Sequence, residues 1–352
     1  TKFLSDKFKV LSFISIILVL YIHSGFHDYP NEIQGRYSTL ICRIFISGMI
    51  GRCAVPLFYA ISGYLFFTGL YDGGNANYPK LWFKIKKKGK TLLVPYIIAC
   101  LFPVVLNLVL EFIPGIEQFV NNKGISKNFH QPIDKILNFI YFDSGKAAHT
   151  HSIFWFLRDF NIYSCSISYI TLCERKKPAN MQFGNTIRSE LFSQYHFCLL
   201  SGMFLVLCLD IAFLDKLSNL KSIFIPVIFT VLCITEILYP CELWKQIKNP
   251  IIIIGITSIW ILYDKFCPKD FEIKKHNVLM KACGFTFFIY LFHEPTLNIT
   301  EKILIIPFHH SSFGFAFSYL ASPWIFAVIW IIIGIGFKRI MPHIYSICLG
   351  GR

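Results

Sequence analysis

Apolar residues in this chain gather into long runs separated by short polar stretches. The runs cover 10–26, 43–69, 91–112, 153–173, 192–214, 222–240, 249–264, 282–306 and 314–337. Most have the length at which a helix spans a bilayer, about 17 to 25 residues. Alternation at period two over about ten residues, the mark of barrel strands, is not visible. In lipid every backbone group must pair within its own segment, so the runs predict helices. The pattern predicts an all-α integral membrane protein, a polytopic bundle of about 9–10 transmembrane helices. Residues 1–352 read as a single membrane domain with no separate soluble one.

Composition agrees with the pattern. Only 15% of residues are charged and the mean hydropathy is +0.55, against about a quarter charged in soluble domains. The net charge of +14 raises the question of nucleic acid. No basic stripe lies on a soluble module, which argues against that partner. Lys and Arg mark cytoplasmic loops instead. They crowd the start (Lys2, Lys7, Lys9), the stretch Lys80–Lys90, the segment "CERKKP" at 173–178, Lys274 to Lys281, and the end (Lys338, Arg339, Arg352). All five should face the cytoplasm, with both termini inside an inner (plasma) membrane. That leaves an odd number of crossings between 173–178 and 274–281, where an even number is required. Either one run does not span or a further crossing hides in 176–191.

Other features change the picture less. The first run, with its basic start, has the look of a secretory signal. Its length, His23 and the lack of a small-x-small cleavage site before Pro30 favour a retained helix. There are 12 Cys and no CxxC pair. Cys165, Cys173, Cys198, Cys208, Cys233 and Cys241 are scattered through the middle, which suggests buried thiols and neither a disulfide framework nor a metal site. The loop 113–152 contains "HQPIDKILNFIYF", which fits a short surface helix. "NIT" at Asn298–Thr300 fits a glycosylation acceptor, though it sits beside an apolar helix.

Ionisable residues within the runs carry the candidate chemistry. His23 lies near the outer end of the first helix. Arg52 lies in the second, Arg158 and Asp159 in the first two turns of the fourth, and His293 and Glu294 in the outer half of the eighth. Pro295 removes a backbone donor there and predicts a kink. Singly, such a residue snorkels or pairs structurally. Six at similar depth on four helices point to a shared polar cavity. In the second helix "GRCAVPLFYAISGYLFF" offers Pro56 and Ser62–Gly63 for a bend and close packing. The lysine run before the third helix fits anionic headgroups or the phosphates of a cytoplasmic cosubstrate. No Walker-type glycine loop accompanies it, which argues against a nucleotide-driven pump.

Several of these stretches, in order, resemble the membrane acyltransferase 3 family, the bacterial O-acyltransferases of surface polysaccharides. They are "VLSFISIILVLYIHS", "RCAVPLFYAISGYLFF", "KIKKKGKTLLVPYI", "FWFLRD", "FFIYLFHEP" and the terminal "CLGGR", running from about residue 8 to 352. The resemblance implies about ten helices with both ends cytoplasmic. It implies transfer of an acyl group, usually acetyl, from a coenzyme A thioester to a sugar hydroxyl. The family's first-helix histidine corresponds to His23. Its basic segment corresponds to Lys86, Lys88 and Lys90, which would contact the coenzyme phosphates. The family's arginine eleven residues before the histidine is Ser12 here, with Lys9 and Lys7 the nearest cations. Residues 160–248 follow the family pattern poorly. A divergent member explains this, and so does a disrupted reading frame, which predicts an inactive copy.

The expected chemistry is O-acylation of a cell-surface sugar or polysaccharide by acetyl-CoA or another acyl-CoA, without a metal. His23 either deprotonates the acceptor hydroxyl or carries the acyl group. Glu294 or Asp159 orients the ring, Arg52 or Arg158 stabilises the oxyanion, and His293 is a second candidate base. The alternative is a non-enzymatic exporter of polysaccharide or small solute, whose pathway the same charges would line. An inverted repeat would favour it, and none is found. A purely structural partner, the third reading, makes His23 dispensable.

Overall fold

A computed structural model describes residues 2–24, 37–67, 71–72, 75–76, 78–114, 223–239, 241–267, 277–308 and 311–351. The expected segments 153–173 and 192–214, the surface helix within 113–152, and Lys274 and Lys275 lie outside the described residues. So do Cys165, Cys173, Cys198 and Cys208.

The described residues are helical apart from a two-residue antiparallel ladder, β1 (Tyr71–Asp72) with β2 (Asn75–Ala76). The first helix, α1 (Lys2–His23), begins well before the apolar run that predicted it. The second starts as α2 (Tyr37–Arg43), widens into a π-helical stretch Ile44–Ile50, tightens to a 3-10 turn Gly51–Cys53, and continues as α3 (Ala54–Phe67). Then come α4 (Tyr78–Glu111), α5 (Phe224–Leu238) and α6 (Glu242–Phe266). The stretch expected as one eighth helix is three: α7 (Val278–Cys283), α8 (Thr286–Phe292) and α9 (Thr296–Ile305). A single long helix, α10 (Ser312–Ile340), and a short α11 (Pro342–Cys348) complete the chain.

Four of these stretches are long and apolar enough to cross a membrane: Thr39–Leu65, Thr91–Glu111, Ile247–Phe266 and Ser312–Ile340. The protein is an all-α integral membrane protein. Its outward apolar side chains agree, since Val105, Val231, Val328, Ile332 and Ile335 are all exposed. In hydrocarbon such a surface carries no hydrophobic cost.

Helix α1 runs through the middle of the described bundle, packed by α3, α7, α8, the π-helical stretch and α10. Leu11, Ile16 and Leu20 are fully buried on it, against partners such as Leu57, Tyr59, Phe288 and Tyr319. Gly51 permits a close approach: a Cβ there would sit 3.0 Å from Ile22 Cγ1. The turn carrying Arg52 therefore stands beside the last turn of α1. Helix α8 is wedged by aromatic contacts. Phe292 stacks on Trp330 of α10 at 5.2 Å and meets Phe102 of α4 edge-on at 4.8 Å. These contacts fix the position of the break that follows Phe292.

The basic stretch expected as a loop is helical, because α4 runs on from Tyr78 through the lysines into its apolar half. At 1.5 Å per residue its length is about 50 Å, well beyond a hydrocarbon core of about 30 Å. The lysine-rich half accordingly projects from the bundle, with Trp82 and Phe83 exposed beside Lys86 and Lys87.

The seven cysteines whose side chains are described are free thiols. Cys233 is buried as expected of a small apolar residue, whereas Cys241 is exposed in the turn between α5 and α6. Burial fails there because Cys241 precedes α6 at the end of the apolar run, outside both helices.

Candidate functional site

Helix α1 ends at His23, and the chain between α8 and α9 comes to meet it. Pro295 causes the interruption. It lacks an N–H and clashes with a preceding helical turn, so α8 stops at Phe292 and α9 restarts at Thr296. His293 and Glu294 fall in the gap, next to the end of α1.

Glu294 is almost entirely buried, and its Oε1 lies 3.5 Å from Nδ1 of His23. That is longer than a good N–H···O bond but within ion-pair reach. Asn298 lies one helical turn on, and its Nδ2 donates to Glu294 Oε2 at 3.2 Å. One carboxylate oxygen is thus occupied by the amide, and the other is turned to the imidazole. A proton on Nδ1 faces the carboxylate, which leaves Nε2 as the basic nitrogen of a neutral ring. His23 keeps 28% of its side-chain surface exposed, so the ring is accessible where its carboxylate partner is not.

His293 is fully buried, its ring centroid 5.0 Å from that of His23. Its Nδ1 is 2.7 Å from the carbonyl oxygen of Tyr290. A carbonyl only accepts, so Nδ1 is the protonated nitrogen here too. The Tyr290 ring stacks on it at 5.6 Å.

A second polar cluster adjoins the first. Ser24, the residue after His23, donates to Glu301 Oε1 at 2.6 Å and receives a hydrogen bond from Ser322 at 2.8 Å. All three side chains are buried. Tyr21 donates to the Leu320 carbonyl at 2.8 Å and accepts from Trp324 Nε1 at 3.0 Å. Ser47, in the π-helical stretch, donates to the Tyr21 carbonyl and accepts from the Tyr319 hydroxyl at 2.6 Å. Widened turns of this kind recur at functional sites.

Of the six residues expected at one depth, the structure brings together His23, His293 and Glu294. Arg52 stands beside the last turn of α1, but its side chain is exposed and lies within electrostatic reach of Lys248, as does Glu236. Arg158 and Asp159 lie outside the described residues. Of the expected phosphate contacts, Lys86 is exposed on α4, while the side chains of Lys88 and Lys90 lie outside the description. Asn298, which fits a glycosylation acceptor in sequence, is instead bonded to Glu294 within a helix. Sequence reading missed Ser24, Asn298, Glu301 and Ser322. One signal was available in the sequence: Glu294, Asn298 and Glu301 recur at i, i+4 and i+7, the spacing of one helical face, although Glu294 itself falls in the break before α9.

At the far end of α1 a different pair is buried. Lys7 Nζ lies 2.6 Å from both carboxylate oxygens of Asp264 and 3.5 Å from the centroid of the Trp260 ring. Lys9 pairs with Asp6 at 3.1 Å on the surface. Both cations nearest Ser12 are thus engaged elsewhere.

Among known families, residues 7–337 match the family model Acyl_transf_3, described as an acyltransferase domain. No curated protein and no solved structure matches the chain.

Proposed function

The chain belongs to the membrane acyltransferase 3 family, and on that premise we propose that it transfers an acyl group, acetyl in the first instance, from a coenzyme A thioester to a hydroxyl of a surface carbohydrate. The observation that carries this reading is the His23–Glu294 contact of 3.5 Å. An alcohol attacks a thioester well only if its proton leaves as the new bond forms. A neutral imidazole positioned at the hydroxyl accepts that proton at working pH. Glu294 holds the ring with Nδ1 towards the carboxylate and stabilises the imidazolium that results, while Nε2 takes the proton. The proton then passes to the departing thiolate of coenzyme A, which returns His23 to its neutral form. Arg52, beside the last turn of α1, is a candidate to meet the oxyanion, and Lys86, Lys88 and Lys90 are candidates for the coenzyme phosphates. We place the protein in an inner membrane with both termini in the cytoplasm.

The rival reading, an exporter of polysaccharide or small solute, also accommodates buried charges. It gives no role to an imidazole held by one carboxylate at a helix end. The test is His23→Ala in membranes supplied with [1-14C]acetyl-CoA and their own envelope polysaccharide. Loss of a general base predicts a fall in transfer on the order of 10²- to 10⁴-fold. Glu294→Gln, which keeps the shape but not the charge, predicts a smaller fall. Transfer untouched by His23→Ala removes the catalytic role of this histidine.

A further inference from the structure

We infer that Glu301 is a positioning residue, which sets His23 by gripping the residue next to it. The inference rests on the proposed role of His23.

Three observations support it. First, Glu301 is buried at 3% exposure, and its Oε1 accepts from Ser24 Oγ at 2.6 Å. Burying a carboxylate is costly, and an apolar side chain would join these helices without that cost. Second, Ser24 directly follows the last turn of α1, its N–H donating to the Leu20 carbonyl at 2.8 Å. A terminal turn is where helices fray, so its direction depends on what holds it from outside. Glu301 and Ser322 hold it from α9 and α10. Third, the break before α9 and α9 itself supply one carboxylate to each residue of the His23–Ser24 pair, Glu294 to His23 and Glu301 to Ser24. A shift of α1 that breaks the Ser24 bond also moves the imidazole from Glu294. Misplacement of a reacting group by about 1 Å costs on the order of 10²-fold in rate.

The test uses the full chain, solubilised in detergent. The readout is the carbethoxylation rate of His23 with diethyl pyrocarbonate, located by peptide mass spectrometry. This reports the setting of the ring without any acceptor. Three variants are compared: Glu301→Leu and Ser24→Ala break the bond, and Glu301→Gln keeps an acceptor oxygen for Ser24. The first two should change the His23 rate about threefold or more and lower transfer kcat on the order of tenfold, with the KM for acetyl-CoA unchanged. Glu301→Gln should restore both to near the parent protein. The double variant Glu301→Leu/Ser24→Ala should be no worse than Ser24→Ala alone, because the serine change already removes the bond to Glu301 together with that to Ser322. If Glu301→Leu fails to fold, the smaller Ser24→Ala change carries the test.

An unchanged His23 rate and kcat in Ser24→Ala overturn the inference. So does Glu301→Gln failing as badly as Glu301→Leu, which would mean that charge, not the grip, matters. Failure of the base assignment reads differently: His23→Ala would then leave transfer intact while the carbethoxylation rates still answered the positioning question.

Discussion

Lys7 is 1% exposed and its partner Asp264 only 11%. Lysine is almost never found so deep without a counter-charge, and here the counter-charge meets it with both oxygens while Trp260 covers it. Such a pair contributes little net stability, because desolvation offsets the attraction. Breaking it is a different matter, since one charge then stays buried alone. Asp264→Ala should therefore destabilise the protein by about 3–5 kcal/mol. Replacing both residues, Lys7→Met with Asp264→Leu, should come close to neutral or better. Thermal unfolding in detergent, followed by loss of monodispersity, checks the order. Asp264→Ala melting with the parent protein would mean that Lys7 reaches water. The same residue scale explains what could be read in advance. His23, His293 and Glu294 stand out because a titratable group in an apolar run needs a reason. Ser24 and Ser322 carry no such mark, since a hydroxyl is common in helices and its partner lies almost 300 positions away. Glu301 carries the mark, but its purpose becomes visible only once α9 lies against the end of α1.

Elements were legible to the extent that hydropathy describes them. The runs 91–112, 222–240 and 314–337 correspond closely to the apolar half of α4, to α5 and to α10. What hydropathy cannot register is a helix that continues into polar sequence or breaks inside apolar sequence. Helix α1 starts at Lys2, and α4 starts at Tyr78, because the lysine-rich turns are good helix formers whatever they face. The run 282–306 breaks twice, at Gly284–Phe285 and at His293–Pro295, although its hydropathy is continuous. The second break could be anticipated from Pro295. The π-helical widening at Ile44–Ile50 could not, as nothing in "IFISGMI" announces it. The chain end gives an element-scale prediction. Gly350 has φ 69°, and a Cβ there would lie 2.0 Å from the Thr91 carbonyl oxygen. Gly351 has φ 79° but meets nothing within 4 Å. Alanine at either position is strained by about 1–2 kcal/mol, but only at Gly350 must the end of the chain leave α4. Gly350→Ala should speed amide hydrogen exchange across α11 and the turn after it much more than Gly351→Ala does. Equal rates would mean that the terminal turn is not seated on Thr91. That seat is where the lysine-rich half of α4 joins its apolar half, so on the proposed contacts of these lysines with the coenzyme phosphates Gly350→Ala should also raise the KM for acetyl-CoA.

The two ends of the described bundle differ in charge. Lys2, Lys7 and Lys9 begin α1, Tyr64 near the end of α3 packs on Phe8, and Lys338 lies over Tyr345 of α11. Gly350 joins this end to Thr91, just past the lysines of α4. The opposite end holds His23, the start of α10 and the α5–α6 turn. Moving one elementary charge through the membrane potential costs about 2.3 kcal/mol per 100 mV, and anionic lipids on the inner leaflet add about 1 kcal/mol per basic residue near the surface. With so many lysines on one end, insertion should leave that end in the cytoplasm. Cys241, exposed in the α5–α6 turn, is a native reporter of the other end, and Lys86→Cys reports the basic one. A membrane-impermeant maleimide, read by peptide mass spectrometry, should label Cys241 in intact cells and Lys86→Cys only in inside-out vesicles. The reverse pattern would invert the molecule and place the lysine-rich end outside. If the expected pattern holds, it fixes the geometric demand on the reaction. His23 stands sixteen residues along α1 from Lys7, roughly 24 Å at 1.5 Å per residue, so a thioester bound among the α4 lysines has most of a bilayer to cross before His23 can act on its acceptor. On the proposed function, donor and acceptor would then reach His23 from opposite ends of the bundle, so transfer would require the acyl group to travel along α1 from the lysine-rich end.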